Sequence, residues 1–345
     1  MTNGTTIARN SDFLFLYEAI QCNPNGDIDQ ENKPRMDYDN QVNLVTDVRV
    51  KRYIRDFLKT QDKEIFVDME GENKVSPDSK LKAVLLRLLS QPEEVKTAFE
   101  GRDDLIKRFE EIQQKAAVKT PEELIKFMQD KKNKELCSET NRFLLSYLVK
   151  QKFIDIRFFG SAFAIEGFTK SYIGPIQLNW GYSLHKVEIM ESNSIVTIMN
   201  DGSSTIGKDY RVYYSLLAFA GTVNKYAAVG TGLTDEDLNE FRQAIWESIP
   251  ALPTRSKLNQ YPKLYVEINY NDGFNNGHFG DLRQYVNVKP KGDLDEKQIR
   301  KFDDLILDTS RLLQLLKENK TEKEGDNKPI YNVNIYTGNG VTFSL

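Results

Sequence analysis

Four aspartates lie close together in a polar segment near the N-terminus, at Asp27, Asp29, Asp37 and Asp39. Carboxylate oxygens are the ligands that hard cations prefer, so metal-dependent chemistry is one hypothesis for this segment. The spacing does not match the calcium-loop motif, however, and an open loop needs such residues to form its turns. The pattern therefore favours a loop-shaping role over metal catalysis, and we expect neither a bound metal nor another cofactor.

Histidine and cysteine are scarce: the chain has only His185, His278, Cys22 and Cys137. A nucleophilic site of the Ser/His/Asp or Cys/His type would have to use one of the two histidines, and no nucleophile-elbow sequence is present. Two cysteines are too few for a disulfide framework, and neither belongs to a paired-cysteine zinc motif. These counts predict no catalytic residue.

A basic amphipathic helix is predicted over residues 46–59. Thr46 is placed to cap it, because its hydroxyl can accept a backbone N–H of the first turn. The apolar residues recur with the spacing of one buried helical stripe. They are Val50, Tyr53, Ile54, Phe57 and Leu58.

The other face of this helix carries most of its charge. Five basic residues against Asp47 and Asp56 give the segment a net charge of +3. A solvated helix face is one interpretation of this arc. Phosphate binding is the other, and it gains weight because the NPNGD loop beside the helix offers backbone donors. Arg157, farther along the chain, is either another cation for such a site or a buried structural arginine.

Composition sets broad limits on the fold and on the function. The chain has 345 residues, 39% of them hydrophobic and 28% charged, as in soluble globular proteins of two or three domains. Its N-terminal residues are polar and the apolar run that follows is shorter than a membrane span, so we expect a cytoplasmic protein without a membrane partner. A formal charge of −4 does not by itself indicate nucleic-acid binding.

The patterns along the chain predict an α+β fold. Amphipathic, highly charged helices at 80–89, 103–118, 121–132 and 139–150 indicate a helical insertion between strands. Outside it, strand, basic helix, strands, helix and strand follow in the order of a ferredoxin-like or RRM-type sheet. The predicted strands are 13–20, 65–68, 153–168, 174–190, 263–270 and a closing segment at 330–345; a long hairpin is predicted at 191–224, and helices at 234–249 and 294–318.

Five ordered blocks between residues 12 and 270 resemble a known family. They read CNPNGDIDQENKPRMD, LVTDVRVKRYIRDFL, DIRFFGSAFA, GPIQLNWGYSLH and TIGKDYRVYYSLLAFAGTVN. In this order they are similar to the backbone, crRNA-binding subunit of type I CRISPR surveillance complexes (Cascade), the Cas seven superfamily. The helical insertion and the TDVRVKR sequence are most like its subtype I-B branch.

The resemblance implies a right-hand-shaped protein. The palm is ferredoxin-like and is formed by residues 1–67, 151–190 and 210–345, the last part with a C-terminal helix and strand. Residues 68–150 form a helical finger insertion, and residues 191–209 form a projecting β-hairpin thumb. Several copies are expected to stack as a helical filament on one crRNA, beside other Cascade subunits. Guide segments are left to pair with target DNA, and the subunit itself is not an enzyme.

The resemblance also implies RNA contacts by position. Gly160 and Ser161 let the chain approach the guide closely, and Ile206 and Lys208 form an apolar wedge and a cation in the thumb. Together with Arg157, the remaining expected RNA-binding residues are Asn23, Asn25, Thr46, Arg49, Lys51, Arg52 and Arg55.

Two other functions stay open at this point. Related backbone subunits of type III complexes cut RNA with a loop carboxylate, which makes Asp27 the candidate for a metal-dependent ribonuclease. An α+β scaffold whose basic helix binds an acidic protein is the third hypothesis.

Overall fold

The computed structural model describes residues 5–70, 73–74, 77–118, 120–165, 168–200, 203–323 and 327–345, with side chains except in 69–78, 163–169 and 191–207. The helices are α1 Asp47–Thr60, α2 Pro77–Leu89, α3 Pro92–Ala98, α4 Asp103–Ala116, α5 Pro121–Gln129, α6 Lys134–Lys152, α7 Ile154–Phe159, α8 Lys225–Thr231, α9 Asp235–Ala251 and α10 Ser310–Asn319. The strands are β1 Ser11–Cys22, β2 Gly26–Asp27, β3 Lys33–Pro34, β4 Met36–Asp37, β5 Val42–Val45, β6 Met69–Glu70, β7 Asn73–Lys74, β8 Gly160–Ile165, β9 Phe168–Ile173, β10 Ile176–Leu178, β11 Gly181–Ser183, β12 Ile189–Asn200, β13 Ser203–Val223, β14 Gln260–Tyr270, β15 Asn287–Pro290, β16 Leu305–Asp308 and β17 Ile330–Thr337.

The chain divides into two compact units. The sheet unit comprises Met1–Phe57, Ile176–Lys225 and Leu238–Leu345, and the helical unit comprises Leu58–Pro175 and Tyr226–Asp237. Among the described residues, nine strands form one antiparallel sheet with the order β17-β14-β1-β13-β11-β5-β4, and β10 and β12 also pair with β13. The α+β class predicted from the sequence is therefore confirmed. No described helix is both long enough and apolar enough to cross a membrane.

Strand β1 lies inside the sheet, between β13 and β14. Its first nine residues are all buried, as a strand covered on both faces requires. Glu18 was the one charged residue in the predicted strand, and its carboxylate lies 2.8 Å from the ammonium of Lys263 on β14. The predicted strands 13–20 and 263–270 are both confirmed.

The pairing of β1 with β14 determines which segment lies beside the polar loop, the segment after β1 that contains the NPNGD sequence. Ala19 is opposite Gln260, and the amide of Ile20 donates to the carbonyl of Asn259 at 2.9 Å. Beyond the strand, the amide of Asn23 donates to the carbonyl of Ser256 at 2.9 Å. The segment that precedes β14, residues 252–259, therefore lies against the segment that follows β1.

Helix α1 has the predicted cap and the predicted buried face. The amide of Arg49 donates to the Thr46 hydroxyl at 3.2 Å. Val50, Tyr53 and Ile54 are each no more than 3% exposed. Thr234 caps α9 in the same way, since the amide of Asp237 donates to its hydroxyl at 3.2 Å.

Strands β12 and β13 pair as the long hairpin that the sequence predicts. The single strand predicted at 174–190 is wrong, because that segment forms β10, β11 and the start of β12. Both short strands pair with β13, and between them the amide of Asn179 still donates to the carbonyl of Ala220 at 3.0 Å. The chain therefore runs along β13 as two short strands, β10 and β11, and the apolar pattern of the sequence does not show the break between them.

The helical unit buries its own apolar core, in which helices α2 to α7 all take part. The predicted amphipathic runs correspond to α2, α4, α5 and α6, while α3 was not predicted. Thr120 caps α5 by accepting a hydrogen bond from the amide of Glu123 at 3.3 Å.

Two predicted strands near this core are wrong for one reason. The carboxylate of Asp155 accepts hydrogen bonds from the amides of Phe66 and Val67, at 2.8 and 3.1 Å. These amides are thereby used outside any sheet ladder, and residues 65–68 form no strand. Asp155 itself lies in α7, so the first part of the predicted strand 153–168 is helical. An apolar run buried on all sides does not distinguish a helix from a strand by its periodicity.

The helix predicted at 294–318 is also wrong over most of its length. Strand β16 occupies its middle and pairs with β15. Before it, the Asp304 carboxylate accepts hydrogen bonds from the amides of Arg300 and Lys301, at 2.9 and 3.2 Å, and holds a tight turn. Only α10 remains helical. The closing strand is β17, which covers the first part of the predicted segment 330–345.

Candidate nucleic-acid interface

The N-terminal end of α1 is tied to the polar loop by Asn25. The side-chain oxygen of Asn25 accepts hydrogen bonds from both the amide and the hydroxyl of Thr46, each at 2.9 Å. Because Thr46 in turn caps α1 through Arg49, the loop fixes where the helix begins. The structure thus brings the predicted residues Asn25, Thr46 and Arg49 together at the N-terminal end of the helix, where the helix dipole favours an anion.

The basic arc farther along α1 is compensated within the helix. Lys51 lies 2.9 Å from Asp47 and Arg52 lies 2.8 Å from Asp56, both as i,i+4 ion pairs. Arg55 is half-buried and has polar contacts of its own. These two pairs are neutral, so the net charge of +3 lies on Arg49, Arg55 and Lys59, and the part of the arc formed by Lys51 and Arg52 is weakened as an anion site.

Arg49 differs from these residues in its surroundings. Its guanidinium lies over the ring of Tyr53, 4.0 Å from the centroid, and no carboxylate within ion-pair distance appears among the described residues. Beside it lies Lys257, from the turn before β14, whose ammonium donates to the carbonyl of Asn23. Lys257 is not identifiable from the sequence, because the segment PTRSKLN has no periodicity and only the pairing of β1 with β14 brings the residue here.

Asn23 forms a wall of this region rather than an exposed contact. It is 3% exposed, and its side-chain amide donates to the carbonyl of Asn32 at 2.8 Å. Its backbone carbonyl faces Lys257, and its own amide bonds to the turn at Ser256. The predicted residue thus joins the polar loop to the turn that carries Lys257.

The base of the β12–β13 hairpin is also tied to the polar loop. The ammonium of Lys208 lies 3.1 and 2.8 Å from the two carboxylate oxygens of Glu31, and the hydroxyl of Tyr210 donates to Glu31 at 3.1 Å. These bonds lower the pKa of Glu31. Ile206 pairs with Val196 in the backbone, but its side chain lies outside the described part of the structure.

Arg157 belongs to the helical unit and is used there for structure. Its guanidinium makes a two-point ion pair with Asp237, at 2.7 and 2.8 Å, with both side chains largely buried. It also donates to the carbonyl of Lys150 at 3.0 Å. Of the two interpretations that the sequence left open, these contacts favour the buried structural arginine.

Gly160 is required by the backbone of the helical unit itself. Its φ of 68° lies in the region that favours glycine, and an added Cβ would come within 2.1 Å of the carbonyl oxygen of Tyr172. This glycine therefore allows a close approach of the chain's own backbone, and the predicted approach to the guide stays a prediction. Ser161 follows in β8, opposite Tyr172, and is half-buried.

The candidate catalytic groups are held in structural contacts. Asp27 lies 3.1 Å from the guanidinium of Arg35. His185 is 3% exposed, its Nδ1 lies 2.8 Å from the Lys186 carbonyl, and its Nε2 accepts from the amide of Leu216 at 3.2 Å. Burial lowers the pKa of His185, which keeps the ring neutral in this arrangement. No three described histidine, cysteine or acidic side chains are grouped so as to hold a metal ion.

Comparison with known proteins gives these observations a context. The family described as CRISPR-associated protein Cas7 matches residues 9–310. A CRISPR-associated protein Cas7 from Haloferax volcanii (strain DS2) is 28% identical over 335 residues, which cover 90% of this chain and 84% of that protein.

Two solved structures are also similar in part. A chain of a "CRISPR RNA-guided surveillance complex, pre-nicking" has a TM-score of 0.44 and 15% identity, covering 76% of this chain and 79% of that one. A chain of a "CRISPR RNA-guided surveillance complex" has a TM-score of 0.37 and 12% identity, with coverages of 76% and 70%. Since the family match spans most of the sequence, the chain belongs to the CRISPR-associated protein Cas7 family.

Proposed function

We propose that this protein is a non-catalytic, RNA-binding backbone subunit of a type I CRISPR surveillance complex in the cytoplasm. Copies of it polymerise along one crRNA, contact other subunits of the complex, and present guide segments for pairing with target DNA. Membership of the Cas7 family supports the class of function. The observation that carries the proposal is the N-terminal end of α1: the bonds between Asn25 and Thr46 fix where the helix begins, and the helix dipole and the guanidinium of Arg49 offer positive charge there to a phosphate backbone.

The palm, finger and thumb are part of this proposal. In the sheet, neighbouring strands have the order β14-β1-β13-β11. Along the chain, α1 follows β1 and α9 precedes β14, and this arrangement supports a ferredoxin-like palm. The helical finger is residues 68–150, supported by α2 to α6, and the thumb is the outer part of the β12–β13 hairpin, residues 191–209. The similarity of TDVRVKR to subtype I-B is the basis for proposing that branch.

The proposed contacts are a track for the guide backbone along the sheet unit. Asn25, Thr46 and Arg49 form its best-defined part, Asn23 supports it, and Lys51, Arg52 and Arg55 extend it along α1. Ile206 and Lys208 act from the thumb, while Gly160 and Ser161 remain proposed for the helical unit; Arg157 is left out because Asp237 already occupies its guanidinium. Such contacts read backbone and shape, and base pairing supplies sequence specificity.

No chemical reaction is assigned to the protein. The carboxylate of Asp27, which the ribonuclease hypothesis needs, is paired with Arg35 and also caps the following turn at Asp29. The scaffold hypothesis, in which α1 binds an acidic protein, has less support because Lys51 and Arg52 already have intramolecular carboxylate partners.

Purification of the full chain tests the proposed function. We expect small RNA to co-purify in multimers that dissociate on nuclease treatment or in high salt, because phosphate contacts weaken as salt rises. A matched pair of triple variants locates the contacts. Lys51→Gln/Arg52→Gln/Arg55→Gln should reduce RNA binding and its salt dependence, while Lys289→Gln/Lys291→Gln/Lys317→Gln, at exposed lysines, should not. A monomer that binds no RNA, even with a guide supplied, would overturn the proposal.

A further inference from the structure

Two cations from different elements meet beside the N-terminal end of α1. Gln260, the first residue of β14, donates from its side-chain amide to the hydroxyl of Tyr53 at 3.1 Å and to the carbonyl of Lys257 at 2.7 Å. The guanidinium of Arg49 lies over the ring of the same tyrosine, 4.0 Å from its centroid. The tyrosine and the glutamine thus hold Arg49 and Lys257 in one neighbourhood.

The charge of this pair is not balanced by a nearby carboxylate. In the part of the chain that the structure describes, neither Arg49 nor Lys257 has a carboxylate oxygen within ion-pair distance. Burial and then the charge of Arg49 lower the pKa of Lys257 to about 8. Cys22 also faces Lys257, but burial raises the pKa of its thiol to about 12, so it remains neutral. Two like charges held together in this way favour a bound anion.

Unpartnered polar groups lie in the same place. Within the described part of the chain, the hydroxyl of Tyr17 is fully buried without a hydrogen-bond partner, and so is the Nε of Arg49. Tyr17 is close enough to Arg49, Tyr53 and Cys22 for each of them to affect its pKa, which burial raises strongly. Two buried hydrogen-bond donors in this neighbourhood, one of them on Arg49 itself, are thus left unsatisfied within the described structure.

Two other cations nearby, Arg211 and Arg255, both form ion pairs with Asp209. Asp209 lies 2.9 Å from the guanidinium of Arg211 and 3.1 Å from that of Arg255. Arg211 also faces Cys22 and donates to the carbonyl of Gln21 at 2.9 Å. This neighbouring cluster has one carboxylate for its two guanidinium groups and is therefore partly balanced, whereas Arg49 and Lys257 have no carboxylate within ion-pair distance among the described residues.

We propose that Arg49 and Lys257 together bind one phosphodiester of the RNA, with the turn 255–257 acting as a phosphate-binding element beside α1. The inference rests on the proposed function, since the anion is taken to be a nucleic-acid phosphate. A phosphodiester supplies the missing negative charge, and its oxygens accept from the guanidinium, the ammonium and the first turn of α1.

The site has a pH dependence that a fully charged contact would lack. A bound phosphate stabilises the charged form of Lys257 and raises its pKa above the value of about 8 in the unbound protein. Below that value the ammonium is charged in both states, and affinity does not change with pH. As pH rises above it, the unbound protein loses the proton that the complex retains, so RNA affinity falls.

The experiment compares the full-length wild type with Lys257→Met, Lys257→Arg and Lys317→Met, using a fluorescent single-stranded RNA of mixed sequence. Lys257→Met should weaken binding by about tenfold and reduce the slope of log affinity against log salt by roughly 0.7. Lys257→Arg should retain the affinity but lose the pH dependence near 8. Lys317→Met, an exposed lysine on α10, should behave as wild type.

The outcomes separate this inference from the proposed function. A wild type that binds no RNA overturns the proposed function, and the inference with it. A wild type that binds RNA while Lys257→Met matches it in affinity, salt slope and pH profile overturns the inference alone. Thermal unfolding of each variant identifies any loss of binding that results from misfolding, and Lys257→Arg keeps the charge where Lys257→Met does not fold.

Discussion

Cations in the sheet unit differ in whether a carboxylate of the same unit balances their charge. In the interior of the sheet, Lys263 lies 2.8 Å from Glu18 and Arg242 lies 2.5 Å from Glu267, and both carboxylates are almost completely buried. At the N-terminal end of α1, Arg49 and Lys257 are half-buried neighbours, and neither has a carboxylate within ion-pair distance among the described residues. Both regions hold positive charge wholly or partly out of water, but only the first contains its counter-charge.

The difference indicates which cations serve the fold and which serve a ligand. A buried charge is costly unless it is paired, so a cation that stabilises the fold brings its partner within the chain. The tyrosine hydroxyl of Tyr214 adds a second contact to Glu18 at 3.1 Å, which completes that pair. Arg49 and Lys257 instead become balanced only when an anion arrives, which is the behaviour of a binding site.

The largest effect expected from this comparison is on stability. Lys263→Met should lower the free energy of unfolding by about 3–5 kcal/mol, because it leaves the Glu18 carboxylate buried without its partner. Lys257→Met should change it by no more than about 1 kcal/mol, since it removes one hydrogen bond to the Asn23 carbonyl but leaves no charge stranded. Urea unfolding followed by tryptophan fluorescence measures both, because Trp180 and Trp246 both lie in the sheet unit.

A double variant controls for the shape of the side chains. Glu18→Gln/Lys263→Met removes both charges and should recover much of the stability that Lys263→Met alone loses. If Lys257→Met proved as destabilising as Lys263→Met, the distinction between structural and ligand-binding cations would not hold.

The second effect concerns RNA affinity along α1. Arg49→Met should weaken RNA binding by about tenfold, whereas Arg52→Met should weaken it only two- to threefold or so. The reason is that Arg52 already shares its charge with Asp56 at 2.8 Å, while Arg49 has no such partner in the described structure. Fluorescence anisotropy at several salt concentrations measures both; equal losses would mean that the helix acts as one uniform basic face.

The sequence was most informative where local pattern and tertiary burial agree. The apolar run of β1 and the stripe of α1 each identify an element whose surroundings could be inferred from periodicity alone. The Thr46 cap follows from a local rule, and it correctly marks where α1 begins. The helix 154–159 was missed because a run buried on every side has no informative period, and its identity depends on contacts such as those of Asp155.

The candidate site could be predicted only in part, for a related reason. Arg49 and Thr46 lie within one helix and are visible from spacing. Lys257 lies more than two hundred positions away in the chain, and its place beside Asn23 results from the register in which β14 pairs with β1. The ion pairs of Lys51 and Arg52 were open to inference from their i,i+4 spacing, which is the signal that distinguishes a compensated arc from an available one.

The smallest effect expected is at the base of the hairpin, where Glu31 competes with RNA for Lys208. The pair is about half exposed on both sides, so it contributes little to stability. Glu31→Gln should therefore leave unfolding unchanged but raise RNA affinity by about two- to threefold, since it releases Lys208 and removes a negative charge that repels phosphate. Glu318→Gln on α10 is the matched control, and Glu31→Gln combined with Lys208→Met should lose the gain. If the double variant keeps the increase in RNA affinity, Glu31 acts by general electrostatic repulsion of phosphate. Lys208 would then not be one of the RNA-binding residues.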